Sequence, residues 1–291
     1  RDAISVERLT SSPNIVSIYG HCGNTVLTEH LPRGLDTLLF HNGDVKQSDT
    51  VANRQTPLGR LRLALHVARG VAAIHDIPGG PIIHADIEAK QFLVDSRGVV
   101  KLNDFNRCRF MPNNTMTGKP CQVTIPSAPG GARAPEEYKS ERLTEKLDIF
   151  STGHVLYAIL TGRKPWDDLW GSQVKKLVKE GKKPPIVDKK YLQLGTSDAA
   201  LANLIDLAYE FDPQDRPSAS KLVAELERLD CSVRSSLRSG RLRTSSRSNC
   251  KSRQVWSFSP LLTSIGTSIL GCVGNEEPQS LDGAVTYVDI E

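Results

Sequence analysis

Apolar residues recur at 61, 63, 65, 67, 68, 71 and 74, the spacing of a buried helix over Leu58 to Ile74. Helical spacing also marks Leu143 to Leu160, Leu201 to Tyr209 and Ala219 to Leu229. Alanine, valine and leucine at 3, 6 and 9 predict a further helix over Asp2 to Leu9, ended by Ser12-Pro13-Asn14. Ile15 to Gly20 and Thr25 to Glu29 read as two strands joined by a polar, Gly-containing turn. Phe92-Leu93-Val94, then Asp95-Ser96-Arg97-Gly98, then Val99 to Leu102 reads as a β-hairpin. His41 to Thr56 is polar and reads as a loop, and Asn113 to Gly131 is a second one, rich in Pro, Gly, Thr and Asn. The pattern is that of an α+β protein whose second half is mainly helical.

The hairpin joins two loops that each present an aspartate. One is His84-Ala85-Asp86-Ile87-Glu88-Ala89-Lys90-Gln91, and the other is Asn103-Asp104-Phe105-Asn106. This layout resembles the catalytic loop and metal-binding loop of the eukaryotic protein kinase superfamily. Four further motifs follow in the family's order. Ala134-Pro135-Glu136 resembles the triplet that closes an activation segment opened by Asp104. Asp148 to Gly153 resembles the start of the central helix of the C-lobe, and Gly162 to Trp166 the turn after it. Asp215-Arg216-Pro217-Ser218 resembles the late arginine motif, which implies a buried ion pair between Arg216 and Glu136. The resemblance covers about residues 1–230. It implies a bilobal kinase fold with a partial N-lobe (helix αC and the family's fourth and fifth strands) and a complete, mainly helical C-lobe.

The resemblance also implies roles. Asp86 takes the place of the catalytic base, or is an aspartate bonding backbone amides in a tight loop. Asp104 takes the place of the metal-binding aspartate, or caps the turn after a strand. Lys90, four residues after Asp86, has the spacing of the phosphate-neutralising cation in tyrosine-kinase-like loops, or is a solvated surface lysine; Glu88, at the serine/threonine spacing, cannot take that role. Gln91 stands where the family has a metal-binding Asn, one methylene longer, and Mg²⁺ is sensitive to such a displacement. Thr28 falls at the gatekeeper position, Glu29 and Leu31 would offer backbone groups to adenine, and Leu93 would lie under the ring or simply fill a core strand. Asp2 aligns with the αC glutamate. Val6, Ile18, His84 and Phe105 would stack in one column anchored by Asp148.

Two departures bear on activity. Ala85 replaces the arginine that normally grips a phosphate on the activation segment, so modification of Thr115, Thr117, Thr124 or Ser127 lacks its main electrostatic partner. Asn106 replaces the glycine after Phe105, where asparagine is the next-best residue for positive φ. The residues from Arg1 include no Gly-rich phosphate loop and no third-strand lysine, so the sequence reads as a processed or truncated piece, itself inactive. The implied function is an ATP-dependent protein kinase, using Mg²⁺ or Mn²⁺ and acting on a protein Ser, Thr or Tyr hydroxyl. The other reading is a pseudokinase, a nucleotide-binding or scaffolding signalling module.

Composition changes little of this. At 291 residues, 24% charged and net +4, nothing global points to nucleic acid. The six cysteines lie far apart with no metal-ligand grouping and read as scattered thiols of a reducing compartment. From 231 to 291 the character shifts. Cys231 to Arg253 holds seven Arg or Lys and no acid, and 255–274 is mildly apolar but broken by Ser, Thr, Pro and Gly. This reads as a disordered tail, with a weak contact for anionic lipid through 234–274. The expected location is intracellular, in the cytoplasm or on the cytoplasmic side of a membrane, with a protein substrate or signalling protein as partner.

Overall fold

A computed structural model describes residues 9, 12–22, 25–40, 56–125, 133–139, 142–186 and 188–239. The expectations for Asp2, Val6 and their helix, the loop over 41–55, Ser127 and the tail beyond 239 lie outside these residues.

Strands β1 (Ile18–Cys22) and β2 (Thr25–Thr28) form an antiparallel pair. β1 starts three residues later than the apolar run suggests. Asn14 to Val16 leave the pair and join Leu102 instead: the Val16 amide donates to the Leu102 carbonyl (2.9 Å) and the Leu102 amide to the Asn14 carbonyl (2.8 Å). β3 (Arg33–Gly34) leads into α1 (Leu35–Phe40). β3 then pairs with β5 (Phe92–Val94), and β5 with β6 (Val100–Leu102), in a three-stranded antiparallel sheet.

Helix α2 spans Pro57–His75, close to the predicted range. Pro57 suits its first turn, where the missing N–H has no partner to lose, and Thr56 Oγ1 caps it by accepting from the Gly59 amide (3.0 Å). On its buried face, a Cβ at Gly70 would sit 3.0 Å from the Asn14 carbonyl and 3.3 Å from Leu102. The bare glycine thus lets β6, and the aspartate loop after it, pack directly on α2. After α2, β4 (Ile82–Ile83) pairs antiparallel with β7 (Arg109–Phe110). The approach to β4 passes Gly80 at φ +132°, where a Cβ would lie 1.9 Å from the Met111 carbonyl, so only glycine closes this clamp.

Helix α3 (Lys146–Thr161) is buried on all sides, as an apolar helix without a polar face must be. α5 (Ser197–Ala208) packs on it, α6 (Ala219–Ser239) packs chiefly on α2, and α4 (Gly171–Lys179) buries Val174 and Val178 in the same core. The core runs continuously from Leu9 and Ile15 through α2 and α3 to Leu226 and Leu229.

Two expectations need correction. Helix α6 continues to Ser239, nine residues into the segment read as a disordered tail. An Asp230–Arg234 ion pair (2.7 Å) and the packing of Val233 on the core support the extension. Ser235 and Ser236 bond back to carbonyls four residues earlier. The cysteines are not all idle thiols either: Cys22 and Cys108 are thiols outside any disulfide, whereas Cys121 and Cys231 are disulfide-bonded. Among the described residues no helix is long and apolar enough to cross a membrane.

Candidate active site

The loop carrying Asp86 begins after β4 and ends at β5; the loop carrying Asp104 begins after β6 and ends at β7. The β4–β7 and β5–β6 pairs therefore clamp both loops at both ends. Backbone and ring bonds stitch them across the middle. The Asn103 amide donates to the Gln91 carbonyl (2.8 Å), and His84 Nε2 lies 3.0 Å from the Asn103 carbonyl. Since a carbonyl only accepts, that ring nitrogen carries the proton. The His84 ring also meets Phe105, centroids 5.3 Å apart. Ile18 packs against the same core.

Asp148 anchors the first loop from below. It is fully buried at the start of α3 and accepts from the His84 amide (2.7 Å) and the Ala85 amide (2.9 Å). His75, at the end of α2, brings Nε2 to 3.0 Å from the same carboxylate. Ala85 is held left-handed at φ 62°, a strained state for a residue with a Cβ.

Both Asp86 oxygens have partners. Oδ2 accepts from Gln91 Nε2 (2.8 Å), and Oδ1 from an Arg133 guanidinium nitrogen (3.0 Å). Burial alone would raise the Asp86 pKa. The Gln91 hydrogen bond and the charges of Arg133 and Lys90 outweigh it and hold the carboxyl below its ordinary value. Each carboxylate oxygen keeps a second lone pair, so an incoming hydroxyl can still donate to it.

Asp104 is likewise left-handed, φ 63°, and half-buried. Among the described residues its carboxylate makes no hydrogen bond or ion pair. The positive φ expected at Asn106 is not there. The turn after Phe105 closes through the Cys108 amide and Phe105 carbonyl (3.1 Å), and the left-handed residue is Asp104 instead. Gln91 spends its amide nitrogen on Asp86, which leaves the amide oxygen as its group for a metal. An acceptor-only carboxylate without partners among the described residues, and an amide oxygen on the segment that the neighbouring Asn103 amide bonds, are hard oxygen donors, which fit Mg²⁺. Among the described residues no three His, Cys, Asp or Glu side chains form a cage.

Lys90 sits on a 3-10 turn (Ala89–Gln91), 56% exposed, with Nζ 2.9 Å from Glu88 Oε2. The Glu88 hydrogen bond raises its pKa against the opposing effect of burial, and the charges of Glu88, Asp86 and Asp104 add to the rise. On the nucleotide edge, Thr28 is exposed at the end of β2, and Leu31 and Leu93 are half-buried, with Leu93 opposite Gly34. The Glu29 amide is already bonded to the Ser17 carbonyl (3.0 Å), so adenine could meet only the Glu29 carbonyl. Its side chain does structural work, accepting from Lys101 Nζ (2.6 Å) and the Ser17 amide (2.7 Å).

The activation segment ends in a buried knot. Arg216 Nη1 and Nη2 donate to both Glu136 oxygens (2.6 and 2.9 Å). Arg133, one residue before the Ala134-Pro135-Glu136 triplet, is buried and also donates to the Ala85 carbonyl (2.6 Å). Sequence reasoning missed it. The available signal was a lone cation closing a Pro-Gly-Gly-Ala run just before the triplet. Glu137 accepts from the Ala134 amide (2.9 Å) and lies 3.9 Å from Arg133.

Burial pushes the Glu137 carboxyl up to about 7, helped by Asp148 and Glu136 and opposed by the Ala134 amide and Arg133. A carboxyl whose folded pKa exceeds its unfolded value contributes stability that is complete below the unfolded pKa, near 4.5, and is lost as pH rises through about 7. The loss is at most about 3 kcal/mol at 1.36 kcal/mol per pKa unit. Glu137→Gln should therefore flatten the decline in denaturation midpoint between about pH 4.5 and 7. An unchanged slope would show that Glu137 does not titrate there.

The sequence matches the family model for protein tyrosine and serine/threonine kinases over residues 2–226. The chain belongs to the protein kinase family. Its kinase relatives in Arabidopsis thaliana include a probable serine/threonine-protein kinase, SIS8, 30% identical over 236 residues. Serine/threonine-protein kinase 12 is 29% identical over 234 residues. The proline-rich receptor-like protein kinase PERK7 is 37% identical over 160 residues. These alignments cover 79%, 78% and 53% of this kinase-family chain, and 21%, 46% and 21% of the relatives. The chain thus spans less than half the length of each.

Proposed function

We propose that the full-length protein transfers the γ-phosphoryl group of ATP to a protein hydroxyl. The observation that carries this reading is the pair of clamped loops: Asp86 pre-set as an ionised acceptor, and Asp104 held in a strained turn with its carboxylate uncommitted among the described residues. Asp86 orients the substrate hydroxyl and accepts its hydrogen bond as the phosphoryl group departs. Asp104 and the Gln91 amide oxygen hold Mg²⁺, or Mn²⁺. Bound there with the nucleotide, the metal supplies neutralising charge on the polyphosphate. Lys90 turns from Glu88 toward the transferred phosphate. Adenine lies against Thr28, the Glu29 carbonyl, Leu31 and Leu93. Two of the three relatives are named serine/threonine-protein kinases, which favours Ser or Thr over Tyr as acceptor. The proposed setting is intracellular, with the receptor-like relatives favouring the cytoplasmic side of a membrane.

One observation favours the pseudokinase reading: both Asp86 oxygens already hold hydrogen bonds. The uncommitted Asp104 weighs against it. The first test is calorimetric ATP binding to the full-length protein with and without Mg²⁺. Asp104→Asn should weaken binding about tenfold or more with Mg²⁺, a loss of about 1.4 kcal/mol, and hardly at all without it. Equal affinity of mutant and wild type in Mg²⁺ would remove Asp104 from the metal site.

A further inference from the structure

The catalytic-loop candidate lacks its own arginine, yet a guanidinium stands against it. It comes from Arg133, 47 residues along the chain from Asp86, at the far end of the activation segment. Arg133 makes two bonds to two successive residues: one nitrogen donates to the Ala85 carbonyl (2.6 Å), the other to Asp86 Oδ1 (3.0 Å). Behind it, Glu137 faces the guanidinium at 3.9 Å and is itself fixed by the Ala134 amide (2.9 Å). Arg133 and Asp86 are both shielded, with side chains 10% and 15% exposed, so the pair is only weakly screened.

The two-point contact has a geometric consequence. Asp148 holds the amides of His84 and Ala85, which fixes where the loop enters. It does not fix the Asp86 side chain. Gln91 holds one carboxylate oxygen, and rotation about that bond remains until the other oxygen is held. Arg133 supplies that second point and ties it to the strained Ala85 peptide. The fork geometry suits arginine, because lysine has a point charge and cannot span a carbonyl and a carboxylate in one plane.

We propose that Arg133, carried at the end of the activation segment, is a positioning residue that orients Asp86. The coupling runs through a guanidinium carried by the segment, not through a phosphate gripped by the loop, and so fits a loop with Ala85. This proposal rests on the phosphoryl-transfer reading.

The test uses the full-length protein with Arg133→Met and Arg133→Lys. Turnover and ATP affinity are measured for each, together with amide hydrogen exchange over residues 84–91. Misplacing a reacting group by about 1 Å can cost about 10²-fold. Arg133→Met should therefore lower kcat by about 10–100-fold, with ATP affinity within about twofold and faster exchange at 84–91. Arg133→Lys should recover part of kcat, since one of the two bonds survives. Turnover of Arg133→Met within about twofold of wild type would overturn the proposal, as would Lys failing to exceed Met. A wild-type protein without transfer activity would sink the phosphoryl-transfer reading by itself. The positioning claim is then decided by exchange alone: faster exchange at 84–91 in Arg133→Met supports it, and unchanged exchange overturns it.

Discussion

Asp86→Asn should lower turnover of the full-length protein by roughly 10²–10⁴-fold, the usual worth of a positioned acid–base group, with nucleotide affinity near wild type. The substitution keeps the size of the side chain and removes one acceptor. In the folded protein both Asp86 oxygens receive N–H donors, from Arg133 and Gln91. An asparagine offers one oxygen and one NH₂ there. Gln91 can turn its own amide to present oxygen, whereas the Arg133 fork can only donate. The asparagine oxygen should therefore settle on Arg133 and its NH₂ on Gln91, away from an incoming hydroxyl. Loss of the charge that faces Arg133 should cost some stability, so turnover is compared at a temperature well below the variant's thermal midpoint. Transfer within about threefold of wild type would show that Asp86 is only a structural member of the loop.

Glu136→Ala should cost about 3–5 kcal/mol of stability, the range for breaking a buried pair by removing one partner. The guanidinium of Arg216 is inaccessible and lies over the Phe150 ring at 5.1 Å. Beyond Glu136 it donates to the carbonyls of Glu210 (2.7 Å), Lys146 (3.0 Å) and Phe211 (3.1 Å). Three carbonyl dipoles do not replace a carboxylate, and water has no path to the cation. For a domain of this size the loss corresponds to a drop of about 6–20 °C in midpoint. Because Glu136 lies three residues after Arg133, the same change should loosen the Arg133–Asp86 contact and reduce turnover. A midpoint within about 2 °C of wild type would mean that the pair is compensated locally.

The aspartate loops were legible in the sequence because they flank a strong local pattern, whereas the Glu136–Arg216 pair was legible only through the resemblance to the protein kinase family. Apolar runs on both sides of Asp95 to Gly98 fix a hairpin, and the hairpin fixes where its flanking loops meet. Arg133 and His75 were not legible. Their partners lie 47 and 73 residues away, and nothing local in a lone cation or a helix-terminal histidine says which buried carboxylate it will face. The end of α6 was hidden for a different reason. Arg and Ser content suggests a solvated chain, but an Asp–Arg pair one turn apart, serine back-bonds and a single packed valine suffice to carry a helix already started at Ala219. At Asn106 the rule that asparagine tolerates positive φ was sound, but the turn needed none, since the strain fell on Asp104.

The central claim is that Asp86 and Asp104 together support metal-dependent phosphoryl transfer. It is tested most directly by incubating the full-length protein with γ-labelled ATP, Mg²⁺ or Mn²⁺ and a mixed Ser/Thr/Tyr polypeptide, beside its Asp104→Asn variant. Transfer of label by the wild type, dependent on metal and lost in the variant, is the predicted result. Bound nucleotide without label transfer in the wild type would contradict the account and make the protein a pseudokinase.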